Sequence, residues 1–403
     1  MSAIPSHPRI TLPQEDFLKW PRFSAAEEAA VLRVLRDGNV STHPVIGELE
    51  DDFRRLSGRR HAVAHCNGTA GLLAAFHALD LRPGDEVLVP SATFWASVLP
   101  MVWCGLVPVF CESEMETLGL DPEDARRRIT ARTRALVMVH LWGLPCKTRE
   151  LRQLADEHGL KIIEDASHAH GAAVDGTPCG AFGEVSVFSL QGDKLVPAGE
   201  GGVLLTDDDD CHRRTLLLGD ITRIIRMPPP DIRFAATSFG IKTRIAPMSA
   251  ALGRAMLARL PETNRIRNRN HLRLIEALEP LGFECFRPGP GVERVFFEFL
   301  IRHRDPAVDI PRVIGRLRDA GCVVGQPRYP LLHQQPFFTE GHWLATGRYP
   351  RKPPHARNLC QPLPRTERAN EAMIRLPNFC HPDAAPLIDQ YAEAFRWAVG
   401  DRG

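Results

Sequence analysis

Two side chains in this sequence stand where a covalent cofactor could be held. Lys194 ends the run Ser189-Leu-Gln-Gly-Asp-Lys and precedes the glycine-rich segment 199–202, and Asp165 directly follows the short apolar segment 161–164. A lysine can hold pyridoxal 5'-phosphate (PLP) as a Schiff base, and a carboxylate can keep the pyridine nitrogen protonated so that the ring accepts electrons. The pair therefore predicts a PLP enzyme, with Lys194 and Asp165 as its catalytic residues.

Both residues also have ordinary structural interpretations. Most lysines are solvated surface charges, and a carboxylate after a strand often caps a helix. Lys194 differs in context, because it follows Ser189 at a strand end and precedes a turn into another buried strand. Burial beside a cofactor would lower the pKa of Lys194 and free its amine to attack and to carry protons. Asp165 would raise the pKa of the pyridine nitrogen by placing an opposite charge against it.

Two further segments follow predicted strands and could contact a ligand there. Residues 67–71 (Asn-Gly-Thr-Ala-Gly) enter a predicted helix, whose exposed N–H groups and dipole attract phosphate. Phe94 could stack on a planar cofactor, since open α/β sheets bind ligands at the carboxyl ends of their strands. An ordinary strand-to-helix turn and a core aromatic side chain remain the alternatives.

His168 and His170 are the histidines closest in sequence to Asp165. His168 could contact the cofactor ring or its phenolic oxygen. The two histidines do not predict a metal site, because a catalytic site usually needs three protein ligands. The ten cysteines contain no Cys-x-x-Cys pair, which argues against zinc. We therefore predict no metal.

Alternating strands and helices must position these residues. The predicted strands are 61–64, 86–89, 107–110, 135–139, 161–164, 185–188 and 203–206, and the predicted helices are 69–79, 96–103 and 148–158. Two more helices precede them, one from the capping box Ser24-x-x-Glu27 to Gly38 and one over 45–56. Apolar strands that alternate with amphipathic helices predict an α/β fold, with a mostly parallel sheet flanked by helices.

The pattern changes towards the C-terminus. We predict a surface loop over 227–235, a long helix from Met248 into the 270s, strands at 295–301 and 322–324, and helices at 310–320 and 383–399. A proline-rich loop is expected at 349–364. The predicted domains are an irregular N-terminal arm (1–23), a large cofactor-binding domain (24–255) and a small C-terminal α+β domain (256–403).

Composition excludes several other classes of protein. The 403 residues carry 50 Lys+Arg against 49 Asp+Glu, so there is no electrostatic case for nucleic acid or an anionic membrane. No apolar run approaches the roughly 20 residues of a membrane span, and residues 1–12 lack the apolar core of a signal peptide. Scattered cysteines are typical of free thiols in a reducing compartment. We expect a cytoplasmic protein that binds neither nucleic acid nor membrane.

These motifs, in this order and spacing, resemble the DegT/DnrJ/EryC1/StrS family of sugar and cyclitol aminotransferases, which are fold-type I PLP enzymes. The resemblance covers about 24–400 and is strong over 66–206 and 240–247. It implies that Gly68, Thr69 and Ser189 bind the phosphate, Phe94 stacks on the ring, Asp165 pairs with the ring nitrogen and Lys194 holds the cofactor. It also implies that Lys242 reaches the phosphate in a neighbouring subunit, and hence a homodimer with shared active sites.

The sequence departs from the family pattern at several positions. His168 stands where Gln is usual, near the phenolic oxygen, and His43 stands where Gly is common. Thr243 replaces a Tyr. Gln191 replaces a His that is common in nucleotide-sugar members, which points to the branch acting on cyclitols and in the aminoshikimate-type pathway.

The resemblance implies transfer of an amino group from L-glutamine or L-glutamate to a keto-sugar or keto-cyclitol, in amino-sugar or secondary-metabolite biosynthesis such as that of antibiotics. A deoxysugar dehydratase is one alternative, but such relatives carry His where Lys194 stands. A non-catalytic PLP-binding regulatory protein is another. The hypothesis of an NAD-dependent dehydrogenase is rejected, because no G-x-G-x-x-G motif follows the first strand. Residues that could contact the substrate are His43, Trp95, Trp142, Arg244, Tyr329 and His333.

Overall fold

The computed structural model describes residues 8–340 and 361–400. The strands are β1 (His61–His65), β2 (Glu86–Pro90), β3 (Val107–Cys111), β4 (Thr133–Val139), β5 (Lys161–Asp165), β6 (Ala173–Val174), β7 (Thr177–Pro178), β8 (Val185–Ser189), β9 (Gly202–Thr206), β10 (Phe283–Glu284), β11 (Val292–Glu293), β12 (Phe299–His303) and β13 (Met373–Leu376). All seven strands predicted between 61 and 206 are present.

The helices follow in chain order. They are α1 (Gln14–Leu18), α2 (Ala25–Asp37), α3 (Val45–Ser57), α4 (Gly68–Ala78), α5 (Leu99–Trp103), α6 (Pro122–Arg128), α7 (Thr148–His158), α8 (Asp209–Gly219), α9 (Ile221–Ile224), α10 (Pro247–Ala258), α11 (Leu260–Leu278), α12 (Ile310–Asp319), α13 (Pro336–Thr339), α14 (Pro364–Glu371) and α15 (Ala385–Gly400). The capping box at Ser24 and Glu27 is formed, and Gly38 ends α2 with a φ of 71°.

A seven-stranded sheet forms the centre of the fold, in the order β1-β9-β8-β5-β4-β2-β3. Strand β9 runs antiparallel to both of its neighbours, and β8, β5, β4, β2 and β3 are paired in parallel. The carboxyl ends of β1, β2, β4, β5 and β8 therefore meet at one edge of the sheet. This arrangement confirms the predicted α/β fold with a mostly parallel sheet.

A second, smaller core lies in the C-terminal part of the chain. It is built around the antiparallel sheet β10-β12-β13 with side chains of α11, α12 and α15, such as Leu274, Leu317 and Phe395. Helix α11 contributes to both cores, because Leu260 packs with the central sheet. The predicted boundary at 255/256 falls inside α10, and the division into domains at that residue stays a prediction.

Four local predictions were wrong. The long helix from Met248 is two helices, because Pro261 lacks an N–H and fits only in the first turn of a new helix. The helix over 96–103 is a 3-10 turn followed by α5, in which Pro100 has the same effect. The arm is not irregular throughout, since it contains α1.

The predicted C-terminal strands are the fourth case. Residues 295–297 lie outside β12, because Val295 and Phe297 donate their N–H groups to Gly143 and Trp142 instead of to a strand. Residues 322–324 form no strand, and only an isolated bridge joins Gly325 to β13. The loop predicted at 227–235 contains one 3-10 turn. Most of the proline-rich segment, 349–360, lies outside the described residues. No helix in the described ranges has the length and apolar character needed to cross a membrane.

Candidate active site

A cavity of about 860 Å³ opens at the sheet edge where the parallel strands end. Seven of the eight residues predicted from the sequence line it: Gly68, Thr69, Phe94, Asp165, His168, Ser189 and Lys194. These seven residues lie at or just after the ends of β1, β2, β5 and β8, so the parallel register explains why they meet.

Lys194 lies in the turn after β8. Its N–H donates to the carbonyl of Gln191 at 2.8 Å, and its own carbonyl accepts from the indole N–H of Trp20 at 2.9 Å. The residue is only 8% exposed, and its Nζ lies 4.3 Å from the centre of the Phe297 ring. Burial lowers the pKa of Lys194 to about 8, although the charge of Asp165 acts in the opposite direction. With a pKa of about 8, about a tenth of this amine is neutral at pH 7.

Asp165 is the last residue of β5 and is 6% exposed. Its Oδ2 accepts from the Ser97 hydroxyl at 2.6 Å, and its Oδ1 accepts from the N–H of Ser167 at 3.0 Å. Ser97 is also 3.0 Å from the Thr93 hydroxyl. These contacts hold the carboxylate at the cavity wall in one orientation.

The N-terminus of α4 forms another wall. Asn67 caps the helix by accepting from the N–H of Ala70 at 2.8 Å. A Cβ at Gly68 would lie 2.9 Å from the Cβ of Ser189, and one at Gly202 would lie 2.6 Å from the carbonyl oxygen of Asn67. Only glycine permits this close approach of α4 to β8 and β9, which leaves the helix N–H groups beside the Ser189 hydroxyl. An anion such as a phosphate fits this combination.

His168 is buried between aromatic rings. Its ring stacks on Phe297 at 4.1 Å between centres and on Trp142 at 5.7 Å. Burial, assisted by the charge of Lys194, lowers the pKa of His168 well below its usual range, so the ring is neutral. Its Nδ1 accepts from the N–H of Trp142 at 3.3 Å, which assigns the remaining hydrogen to Nε2.

Lys242 is the predicted residue that does not line the cavity. It is exposed, while its neighbours Ile241 and Thr243 line the wall. The resemblance assigned Lys242 to the phosphate of a neighbouring subunit, and this role stays a prediction.

The residues predicted to contact substrate divide into two groups. Trp95 and Tyr329 line the cavity, and Trp142 stacks on Tyr329 at 4.9 Å. Trp142 and the other three are outside the cavity lining. His43 bonds Asp37 and the N–H of Val45, Arg244 donates to Ser41, and His333 bonds Ser91 and Glu367.

Sequence reasoning missed several residues at or near the cavity, among them Ser97, Phe297, Arg328 and Glu298. Ser97 holds Asp165, Phe297 lies beside Lys194, and Arg328 lines the cavity and pairs with the buried Glu298. Ser97 stands in the segment after β2 that already held Phe94, so a search of that segment for hydroxyl groups could have found it. The others carry no local motif.

Glu164 is a buried carboxylate in β5, directly before Asp165. It accepts from the ring of His140, from the Ser186 hydroxyl and from the N–H groups of Gly180, Phe182 and Gly183. Burial alone would raise the pKa of Glu164, but the bonds from His140 and the backbone outweigh it and lower the pKa to about 2. Glu164, His140 and Cys179 come close enough to share a metal ion. However, both oxygens of Glu164 already have protein donors.

We expect Glu164→Gln to lower the free energy of unfolding by about 2–4 kcal/mol, because an amide would face N–H donors in a buried site. The folded pKa lies below the ordinary value of 4.5, so this stability is present above about pH 4.5 and is lost as the pH falls towards 2. Urea unfolding of both proteins between pH 7 and pH 3 checks this. Glu157→Gln, on the surface, is the matched control, and a constant difference across the pH range would contradict the prediction.

Comparison with known proteins decides the family. The sequence model that describes the DegT/DnrJ/EryC1/StrS aminotransferase family matches residues 21–376 of this chain. The chain belongs to this family. The match confirms the resemblance, the fold class and the prediction of an aminotransferase.

Several relatives of this family member are similar over most of their length. The L-glutamine:2-deoxy-scyllo-inosose aminotransferase of Streptomyces kanamyceticus is 33% identical over 336 residues, covering 79% of this chain and 78% of the relative. The structure of 3-amino-5-hydroxybenzoic acid synthase is 26% identical with a TM-score of 0.82, covering 95% of this chain and 98% of that one. The structure of DesI with its TDP-sugar product is 32% identical with a TM-score of 0.77, covering 94% of this chain and 91% of that one.

Proposed function

We propose that this aminotransferase uses PLP to move an amino group from L-glutamine or L-glutamate to a keto-sugar or keto-cyclitol. The observation that carries the proposal is the meeting of Lys194 and Asp165 in one cavity, where burial keeps the lysine amine partly neutral. The names of the relatives support the substrate class, since they include an L-glutamine-dependent cyclitol enzyme and a protein with a TDP-sugar product.

The residues around the cavity fit PLP. Gly68, Thr69 and Ser189 would bind its phosphate at the N-terminus of α4, and Lys194 would hold it covalently. The bound cofactor supplies an electron sink that stabilises negative charge on the substrate carbon. Asp165, fixed by Ser97, would keep the ring nitrogen protonated. Once released, the amine of Lys194 would take the proton from the α-carbon of the amino donor.

His168 and Phe94 have supporting roles in this proposal. The neutral His168 presents an Nε2–H donor, which could serve the phenolic oxygen as the amide of the usual Gln would. Phe94 is 37% exposed and its ring lies 4.9 Å from Trp95 and 5.4 Å from Tyr329. It would stack on the cofactor ring at the cavity mouth.

We also propose a homodimer with shared active sites. Large apolar side chains are exposed at and beside the cavity, among them Phe94, Trp95, Phe239 and Ile241. A second copy covering this surface would remove them from water, and its Lys242 would approach the phosphate site. No disulfide joins cysteines within the described ranges, which supports the proposed cytoplasmic location.

The alternative functions are less well supported. The dehydratase alternative is not favoured, because Lys194 is present and the relative that is 33% identical over most of its length is an aminotransferase. A purely regulatory role leaves the buried Lys194 and its fixed partner Asp165 unexplained.

The test is the visible spectrum of the PLP-loaded protein before and after an amino donor is added. We expect a yellow band that bleaches with L-glutamine or L-glutamate, and comparison of the two identifies the donor. A band that no donor bleaches would favour the dehydratase or regulatory function. Failure to form any band with PLP would contradict the assignment of Lys194.

The rate at which the cofactor-free protein takes up PLP should depend on pH. The neutral amine attacks the aldehyde, and the pKa of Lys194 is about 8, so the rate should rise with pH and level off above about pH 8. Stopped-flow absorbance between pH 6 and pH 9.5 measures it, with Nα-acetyl-lysine as the reference amine. That free amine should keep accelerating up to about pH 10. The same profile for protein and reference would mean that burial does not lower the pKa of Lys194.

A further inference from the structure

We propose that Arg328 binds the α-carboxylate of the amino donor. This inference rests on the proposed function, and it assigns a role to a cavity residue that no motif of the sequence singled out. Both L-glutamine and L-glutamate carry an α-carboxylate next to the amino group that reacts. A fixed guanidinium is the side chain best suited to hold such a group, because its planar fork matches the two carboxylate oxygens.

The charges around the cavity single out Arg328. Among the described residues that line the cavity, the acidic ones are Asp165, Asp193 and Glu200, and the basic ones other than histidine are Lys194 and Arg328. An incoming carboxylate is repelled by the first three. Lys194 must release the cofactor and carry a proton, so it cannot also serve as the lasting counter-charge. Arg328 is the cation that remains.

The guanidinium of Arg328 is held beside the reactive lysine. Its centre lies 5.9 Å from the centre of the Phe297 ring, and Nζ of Lys194 lies 4.3 Å from the same point. Its Nε is 2.5 Å from a carboxylate oxygen of Glu298, which is 3% exposed, and its Nη1 is 3.4 Å from Asp193. The side chain is still 41% exposed. Nη2 has no hydrogen-bond partner in the described part of the chain, so its N–H groups are available to a ligand.

The backbone that carries Arg328 is fixed at both ends. Gly325 and Arg375 exchange two backbone hydrogen bonds, of 3.1 and 2.7 Å. At the other end, the N–H of Leu332 donates to the carbonyl of Ser91 at 3.1 Å, in the segment that follows β2. The backbone on both sides of Arg328 is therefore fixed before a ligand binds, which lowers the ordering cost of binding.

The first test measures the concentration of L-glutamine that half-bleaches the PLP-loaded protein. We expect Arg328→Gln to raise this half-bleaching concentration by about tenfold to a hundredfold, because that ratio corresponds to the loss of one hydrogen bond to a charged group. Arg328→Lys, which keeps the charge but loses the fork, should lie in between. Arg273→Gln is the control, because Arg273 is an exposed arginine of α11 that pairs with Asp389 and does not line the cavity. It should stay within about twofold of the wild type.

Removal of Arg328 also leaves the buried Glu298 unpaired, so a second variant is needed. Arg328→Gln combined with Glu298→Gln removes that charge and should still show the loss. L-glutaminamide, whose α-carboxylate is replaced by an amide, should bleach the wild type and the double variant at similar concentrations. An equal loss for L-glutamine and L-glutaminamide would overturn the proposal, as would a double variant that responds to L-glutamine like the wild type.

A binding measurement separates this proposal from the proposed function. Glutaramate is L-glutamine without its α-amino group, and its affinity can be followed by ligand-observed NMR without any reaction. We expect the double variant to bind glutaramate about tenfold more weakly than the wild type does. Both proteins should bind glutaramide, which has an amide in place of the carboxylate, with equal affinity. If no amine bleaches the wild type, the aminotransferase function fails, and glutaramate still decides whether Arg328 binds a carboxylate. Equal glutaramate affinity in both proteins would overturn the carboxylate site.

Discussion

Lys194→Ala should reduce amino transfer by at least about 10³–10⁴-fold. One side chain is lost that both holds the cofactor and carries the proton, and positioned proton transfer alone contributes about 10²–10⁴-fold. The yellow band should be absent as well, because no other amine is buried beside Asp165 in the described part of the cavity. Turnover with L-glutamine and the absorption spectrum are the two measurements.

The matched control for this variant is Lys161→Ala, at the exposed start of β5. It should keep both the band and the activity. Borohydride reduction of the wild type followed by peptide mass spectrometry should find the cofactor on the peptide that contains Lys194. Full turnover by Lys194→Ala, or a cofactor on another lysine, would remove the basis of the proposed function.

Asp165→Asn should lower turnover by about 10²–10³-fold, the usual effect of removing one preorganised electrostatic contact. Asn keeps the shape and can still bond Ser97, but it carries no charge to hold a proton on the ring nitrogen. The band should remain, since Lys194 is intact, and bleaching by the donor should become slow. Stopped-flow absorbance after mixing with L-glutamine measures this step by itself.

Two comparisons make the Asp165 result interpretable. Ser97→Ala removes one hydrogen bond to the carboxylate and keeps the charge, so its effect should be about tenfold or less. Asp156→Asn, on the exposed face of α7, should have no effect. If Asp165→Asn bleached at the wild-type rate, the ring nitrogen would not depend on this carboxylate.

The sequence by itself determined the sheet and much of the candidate site. Seven short apolar strands alternate with helices, and Gly68, Phe94, Asp165 and Lys194 each follow a strand. Parallel strands end at one edge, so these residues had to meet there once the strands were recognised. The local signals were also sufficient for the helix ends at Ser24 and Gly38.

Only the tertiary structure decided which residues support that site. Ser97 bonds Asp165, Trp20 bonds the carbonyl of Lys194, and Arg328 enters the cavity, although all three come from distant parts of the chain. Contacts of this kind leave no periodicity or spacing in a sequence, because they depend on how separate elements pack. The same holds for residues 295–297, whose apolar pattern predicted a strand while their backbone bonds went to a loop. The local apolar pattern of a segment indicates whether it forms a helix or a strand, whereas the packing of the whole chain determines which residues it contacts.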